Sequence, residues 1–305
     1  MTSRIHLGSA PDSWGVWLPD DPRQTPWERF LDEFAAAGYE WLELGPYGYL
    51  PTDSARLRDE LACRGLKVSA GDVMVGLHRS DAWEDGLAQA SAVAELTAAV
   101  GGDHLVFLPE LVTDIEPPYG LNQPRELDAD AWRRLTDGVS ELGRRLRETH
   151  GVQLVFHSHA DSHVETPDEI ERFLADTDAA AVPLCLDTGH VAYGGGDNLE
   201  LIGKHPERIG YVHLKAMDPV VLEQVRNQGL AFADAVRRGV CAEPPAGVPD
   251  MAAVAEALAG TDADAFAIVE QDLFPCPPDV PLPIAQRTRG YLQGCGYGAA
   301  ARQNP

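Results

Sequence analysis

Two hydrophobic rhythms alternate along the chain. Short apolar runs that scarcely alternate with polar residues are followed by longer stretches where apolar side chains return every three or four positions. The first pattern fits strands buried on both faces, as in a parallel sheet, and the second fits helices with one buried stripe. Strands are predicted at Arg4–Ser9, Trp41–Gly45, Lys67–Val73, His104–Leu108, Gln153–His157, Pro183–Asp187, Gly210–Leu214 and Phe266–Glu270. Helices are predicted at Pro26–Ala37, Ser54–Arg64, Ala82–Val100, Asp130–Thr149, Asp168–Asp176, Leu199–His205, Pro219–Arg238 and Pro249–Leu258, with a last one at Pro283–Tyr291. Local signals mark their ends. Thr25 is the expected N-cap of the first helix, with Pro26 at its first position and Gly38 closing it. Thr52–Asp53–Ser54 opens the second helix, and Thr166 followed by Pro167, Asp168 and Glu169 opens the fifth.

Eight strand–helix units in one chain predict a (β/α)8 TIM barrel, read as a single domain over residues 1–305. An open doubly wound sheet would want a GxGxxG turn after the first strand, and GSAPDSWG is not one. Three irregular stretches, Leu111–Arg125, Gly239–Val248 and Leu273–Leu282, are placed to fold over the barrel mouth.

Composition narrows the classes. With 44% hydrophobic and 24% charged residues the chain can bury a large core and is not disordered. No apolar run approaches the ~18 residues of a membrane helix, and MTSRIHLGSAPDSWG lacks an apolar leader, so no membrane association is expected. Five scattered cysteines without a CxxC pair suit reduced thiols in the cytoplasm. A net charge of −24 with no basic stripe argues against a nucleic-acid partner.

The chemistry stands at the strand ends. LVFHSH (154–159), LCLDTGH (184–190), YVHLK (211–215) and AIVEQD (267–272) each stop an apolar run at a metal-binding side chain. A barrel builds its site from such ends. Asp187, His213 and Glu270 are assigned as metal ligands, with the fourth corner at His157 or His159 and His157 preferred as nearer the strand end. Imidazole plus carboxylate suits a divalent transition metal, with manganese or cobalt first and magnesium, zinc or iron as alternatives. Any one of these residues alone would read as a hydrogen-bonded core group; four converging ends do not. Around them, Glu43 and Glu110 end strands two and four, and His159 shares a face with His157. His190, placed in the DTGH loop, is read as a substrate contact or as a packed histidine. Lys215 is read as an acid or as an ion pair with Asp187, Glu243 or Glu270. Trp14 is the candidate apolar wall under a sugar-like ring, while Trp17 suits core packing.

Taken together, APDSWGVW, ELGPYGYLP, the HxHxD run His157–Asp161, LCLDTGH followed by YGGGD, GYVHLK and VEQD resemble the inosose dehydratase branch of the xylose isomerase-like TIM barrel proteins. The resemblance runs from about Ser9 to Asp272. It implies one metal held by His157 (or His159), Asp187, His213 and Glu270. It also implies dehydration of a cyclic keto-polyol such as 2-keto-myo-inositol, in inositol catabolism. In the implied scheme Glu270 or an imidazole is the base, Lys215 or His190 the acid, and Trp14, Glu43, Glu110 and His159 contact substrate. The epimerases of the superfamily carry Glu where this chain has His157, so a reaction needing a carboxylate base on each face is disfavoured. The rivals are an epimerase or isomerase using Glu43 or Glu110, a nuclease, and a non-catalytic sugar-binding barrel. The partner implied is a small polyol, and a homo-oligomer is compatible with the sequence.

Overall fold

The computed structural model describes residues 5–261 and 265–298. Its core is a closed barrel of eight parallel strands. They are β1 (Ile5–Ser9), β2 (Trp41–Glu43), β3 (Lys67–Val75), β4 (His104–Pro109), β5 (Gln153–His157), β6 (Leu184–Asp187), β7 (Ile209–Leu214) and, after a small hairpin, β10 (Ala265–Val269). The order is β1-β10-β7-β6-β5-β4-β3-β2, so β1 and β2 close the ring. The hairpin pairs β8 (Ala216–Met217) with β9 (Cys241–Ala242). The expected start of the first strand at Arg4 lies outside the described residues, and the second strand stops short of Gly45, which turns with φ 71°.

Helices wrap the barrel: α1 (Trp27–Ala37), α2 (Ser54–Ala62), α3 (Trp83–Ala99), α4 (Ala129–His150), α5 (Pro167–Asp176), α6 (Thr188–Tyr193), α7 (Asn198–Lys204), α8 (Pro219–Gln228), α9 (Phe232–Arg237), α10 (Met251–Ala259) and α11 (Pro281–Gly294). Asp53 caps α2, and Thr166 with Glu169 forms a reciprocal capping box on α5. Thr25 does not cap α1. Pro26 takes that position, and the Thr25 hydroxyl donates instead to the Trp14 carbonyl at 2.8 Å, tying the first loop to the helix start. The single helix expected over Pro219–Arg238 is two, because Gly229 adopts φ 61° and ends α8 in a left-handed cap. Helix α6, expected as loop, forms because Asp187 caps it.

Strand alternation builds the interior in layers. Ala10, Ala70, Val106, Val155, Cys185, Tyr211 and Ile268 form one buried inner cluster. The next residue on a strand points out to the helices: Phe156 stacks on Phe173 of α5 with ring centroids 3.7 Å apart. The residue after that points in again, one layer nearer the mouth. That rule carries Val155 to His157, Cys185 to Asp187, Tyr211 to His213 and Ile268 to Glu270. Among the described residues, no helix is long and apolar enough to cross a membrane.

Candidate metal centre and substrate cavity

The inward layer at the mouth brings His157, Asp187, His213 and Glu270 together, with one ligand atom from each lying within 4.8 Å of the others. All four residues are buried. His157 Nε2 is 3.4 Å from Asp187 Oδ2, and His213 Nδ1 is 3.8 Å from that oxygen and 3.1 Å from Glu270 Oε2. Donor atoms around one cation bound at about 2.1 Å stand about 3.4 Å apart in a tetrahedron, so these residues fit a single divalent ion. The orphaned atoms agree: Asp187 Oδ2 and His213 Nδ1 are buried with no hydrogen-bond partner. His157, not His159, is the strand-five member of the group.

Each ligand is held from behind. Asp187 divides its carboxylate, with Oδ1 accepting the backbone N–H groups of Gly189 and His190 at 2.8 Å and Oδ2 facing the centre. His213 turns its far nitrogen, Nε2, to Glu43 Oε2 at 3.0 Å. This carboxylate–imidazole pair fixes the ring and strengthens Nδ1 as a donor. Replacing Glu43 by Gln is expected to weaken metal affinity about 10–100-fold, with the fold intact, as read by competition with a chromogenic chelator; unchanged affinity would show that the pair is incidental.

Lys215 lies beside the centre. Its Nζ is 3.3 Å from Asp187 Oδ2, 3.2 Å from Glu270 Oε2 and 2.8 Å from Asp272 Oδ2. Burial works against its charge, but Asp187, Asp272 and Glu270 outweigh it and raise its pKa well above the usual lysine value. Glu243, considered as a partner from sequence, binds Arg287 instead. Asp187 and Glu270 also stay ionised: burial opposes this, while Lys215 and His157 for the first and His213 and Lys215 for the second hold their pKa values low.

A cavity of 520 Å³ opens over this layer. Glu43, Glu110, His159 and Glu270 line it, as do Asp12, Asp72, Trp17 and Phe232. Of its lining residues among those described, eight are Asp or Glu and none is Lys or Arg. Burial, His157 and Lys215 push the His159 pKa down to about 3, so this imidazole is neutral. Its Nδ1 lies 2.6 Å from the Ala160 carbonyl and therefore carries the proton, leaving Nε2 as the acceptor.

Three expectations are corrected. Trp14 is fully buried against Phe30 and Phe34, with its Nε1–H bonded to Glu33, and does not reach the cavity. Trp17 does, donating from Nε1 to Asp272 at 2.8 Å. The 3-10 turn Pro11–Trp14 rotates one ring inward and leaves the other on the wall. His190 sits on α6 rather than in a loop and is not among the cavity-lining residues. Its Nδ1 accepts from Ala160 N–H at 3.1 Å, and Nε2 is 3.0 Å from Lys215 Nζ. Of the three irregular stretches only Leu111–Arg125 reaches the cavity; Gly239–Val248 supplies β9.

Asp161, missed as a site residue, knots the mouth together. Its backbone is left-handed at φ 58°, and its Oδ2 accepts both Thr113 Oγ1–H at 2.7 Å and Phe232 N–H at 2.6 Å. The capping residue of α9, Ala231, has no side chain able to do this, so Asp161 caps that helix from another loop. Asp12 and Asp72 were also missed. The inner-layer rule would have found them, each standing two positions after an inner residue, Ala10 and Ala70.

A family model described as xylose isomerase-like TIM barrel matches residues 31–288. The inosose dehydratase of Geobacillus thermodenitrificans (strain NG80-2) is 29% identical over 299 residues, which cover 96% of this chain and 98% of that protein. The inosose dehydratase of Clostridium beijerinckii is 29% identical over 308 residues, with 96% and 97% covered. Among solved structures, the IOLI protein with a bound zinc atom superposes with a TM-score of 0.72 at 15% identity, covering 97% of this chain and all of that one. At that identity the likeness is one of fold.

Proposed function

This chain belongs to the xylose isomerase-like TIM barrel family, and we propose that it is a metal-dependent lyase that removes water from a cyclic keto-polyol, with 2-keto-myo-inositol as the reference substrate in inositol catabolism. The observation that carries the reading is the group His157, Asp187, His213 and Glu270 at the floor of a cavity with no Lys or Arg among its described lining residues. Relatives named inosose dehydratase, aligned over nearly the whole chain, support it.

His157, Asp187, His213 and Glu270 would hold a divalent cation, manganese or cobalt first, which would supply Lewis acidity toward negative charge developing on the substrate. The α-proton passes to a base facing the cavity. Glu270 is ionised, and His159 offers a neutral Nε2. The β-hydroxyl departs as water with a proton from the Lys215–Asp272 pair, whose carboxyl faces the cavity while its ammonium lies behind. His190, bonded to Lys215 from the far side, acts by orienting that ammonium. The enol tautomerises to the dione. Trp17 and Phe232 supply aromatic wall to this cavity. The epimerase alternative needs a second carboxylate. Of the two considered from sequence, Glu43 is bonded to His213 and Glu110 to Arg79. Asp12 and Asp72 also line the cavity, and the deuterium test below separates the two reactions.

The test uses chelated protein reloaded with manganese, cobalt or magnesium and given 2-keto-myo-inositol. A metal-dependent ultraviolet band from a conjugated enol-dione, absent in a His213→Ala variant, is the expected result. No band from folded, metal-loaded protein, together with solvent deuterium entering ketoses without loss of water, would move the assignment to epimerisation.

A further inference from the structure

The loop after β5 holds the one described residue other than glycine whose φ is positive, Asp161 at 58°. Residues with a side chain avoid this region, and aspartate only tolerates it. The backbone there is tied down without the side chain. The Asp161 carbonyl accepts Val112 N–H at 2.7 Å, its own N–H donates to Glu165 Oε2 at 2.6 Å, and Arg125 reaches the same Glu165 oxygen at 2.8 Å. Glycine would take this conformation without strain, so the turn does not call for a carboxylate. The carboxylate is used elsewhere. Its Oδ2 accepts from Thr113 Oγ1–H at 2.7 Å and from Phe232 N–H at 2.6 Å, joining the loop after β4 to the start of α9.

What Phe232 touches gives that bond a bearing on the reaction. The Phe232 ring centroid lies 4.8 Å from that of His190 and 5.3 Å from that of His159, and Lys215 Nζ stands 5.9 Å over the ring. Helix α9 has six residues, and its own N-cap, Ala231, makes no side-chain cap, so Phe232 N–H is held from outside the helix. We infer that Asp161 is a positioning residue: by holding Phe232 through Oδ2 it sets that ring against His159, His190 and Lys215, and thereby aligns the proton-donating side of the site. The inference rests on the role proposed for the Lys215–Asp272 pair and names the residue that aligns it. Asp161 acts through Phe232 and not by contact with the reacting atoms. A misplacement of about 1 Å lowers a rate by about 10²-fold even when its origin lies away from the chemistry.

The experiment compares Asp161→Gly, Asp161→Asn and Phe232→Leu with the full-length parent. Glycine keeps the left-handed backbone and removes the acceptor, whereas asparagine keeps an oxygen able to take both hydrogen bonds. Metal content and steady-state turnover of 2-keto-myo-inositol are measured on manganese-loaded protein. The ring-proton signals of His159 and His190 are measured on zinc-loaded protein, zinc having no unpaired electrons. In Asp161→Gly metal content is unchanged, kcat falls on the order of tenfold or more with a smaller change in KM, and both histidine signals move with the Phe232 ring. Asp161→Asn restores most of the turnover and the parental signals. Phe232→Leu lowers kcat as the glycine variant does, and the double variant falls no further. Parental turnover and parental signals in Asp161→Gly would overturn the assignment. So would a loss in Asp161→Asn as large as in Asp161→Gly, which would give the role to the negative charge. If the glycine variant does not fold, Thr113→Val, which removes one of the two bonds on Oδ2, supplies the test: displaced histidine signals with metal retained support the inference, and parental ones overturn it. A parent that leaves 2-keto-myo-inositol unchanged would sink the keto-polyol reading, and the histidine signals alone would then decide for or against Asp161.

Discussion

In an Asp187→Asn variant the helix behind the metal centre survives while the centre is lost. The amide oxygen can still accept from the N–H groups of Gly189 and His190, so α6 keeps its cap. What disappears is the anionic oxygen facing His157 and His213. Metal polarisation is worth several kcal/mol of transition-state charge, which corresponds to a fall in turnover on the order of 10³-fold. Metal content by atomic emission after gel filtration checks the cause, and a thermal melt checks the fold. Full metal occupancy with full turnover would sink the assigned centre. A collapse in melting temperature with metal retained would make Asp187 a cap and little else.

Lys215→Met carries the second large effect, and it appears in stability first. The ammonium is buried between Asp187, Glu270 and Asp272. Removing it leaves three buried carboxylates without their shared cation, a change that typically costs about 3–5 kcal/mol. Urea unfolding in the presence of a chelator is expected to show a loss of that size. Saturating manganese should recover part of it, because a cation bound in the native state stabilises that state by mass action and neutralises two of the three carboxylates. Turnover should stay low even with metal bound, since the acid side of the site is gone. A loss below about 1 kcal/mol, the range of an exposed ion pair, would mean that Lys215 is not the charge that holds these carboxylates together.

Much of this was written in local pattern. β5 spans the residues expected, and β6 and β7 shift by a single residue at their starts. Their buried faces leave no ambiguity about where an apolar run ends. The ligands were legible for the same reason: His157, Asp187, His213 and Glu270 interrupt runs that otherwise tolerate no polar group. The caps at Asp53 and Thr166 were readable because a cap bonds within its own first turn.

Other features depend on partners distant in sequence. Thr25 had the chemistry of a cap, yet its hydroxyl goes to Trp14 eleven residues away. The break at Gly229 is stabilised from outside the segment, with Asp161 bonding the next helix at Phe232. Trp14 and Trp17 are alike in local context and were assigned the wrong way round; only the turn between β1 and α1 decides which ring faces the cavity. The sequence by itself determined the alternation of elements, the closed parallel barrel and the four side chains fit for a metal, because each follows from period and from residue type at a strand end. Tertiary structure alone decided that Trp17 rather than Trp14 faces the cavity, that His190 stands behind Lys215, and that Asp161 caps α9 from another loop. Those outcomes depend on strand register and loop contact across the barrel, which set distances that no local pattern contains.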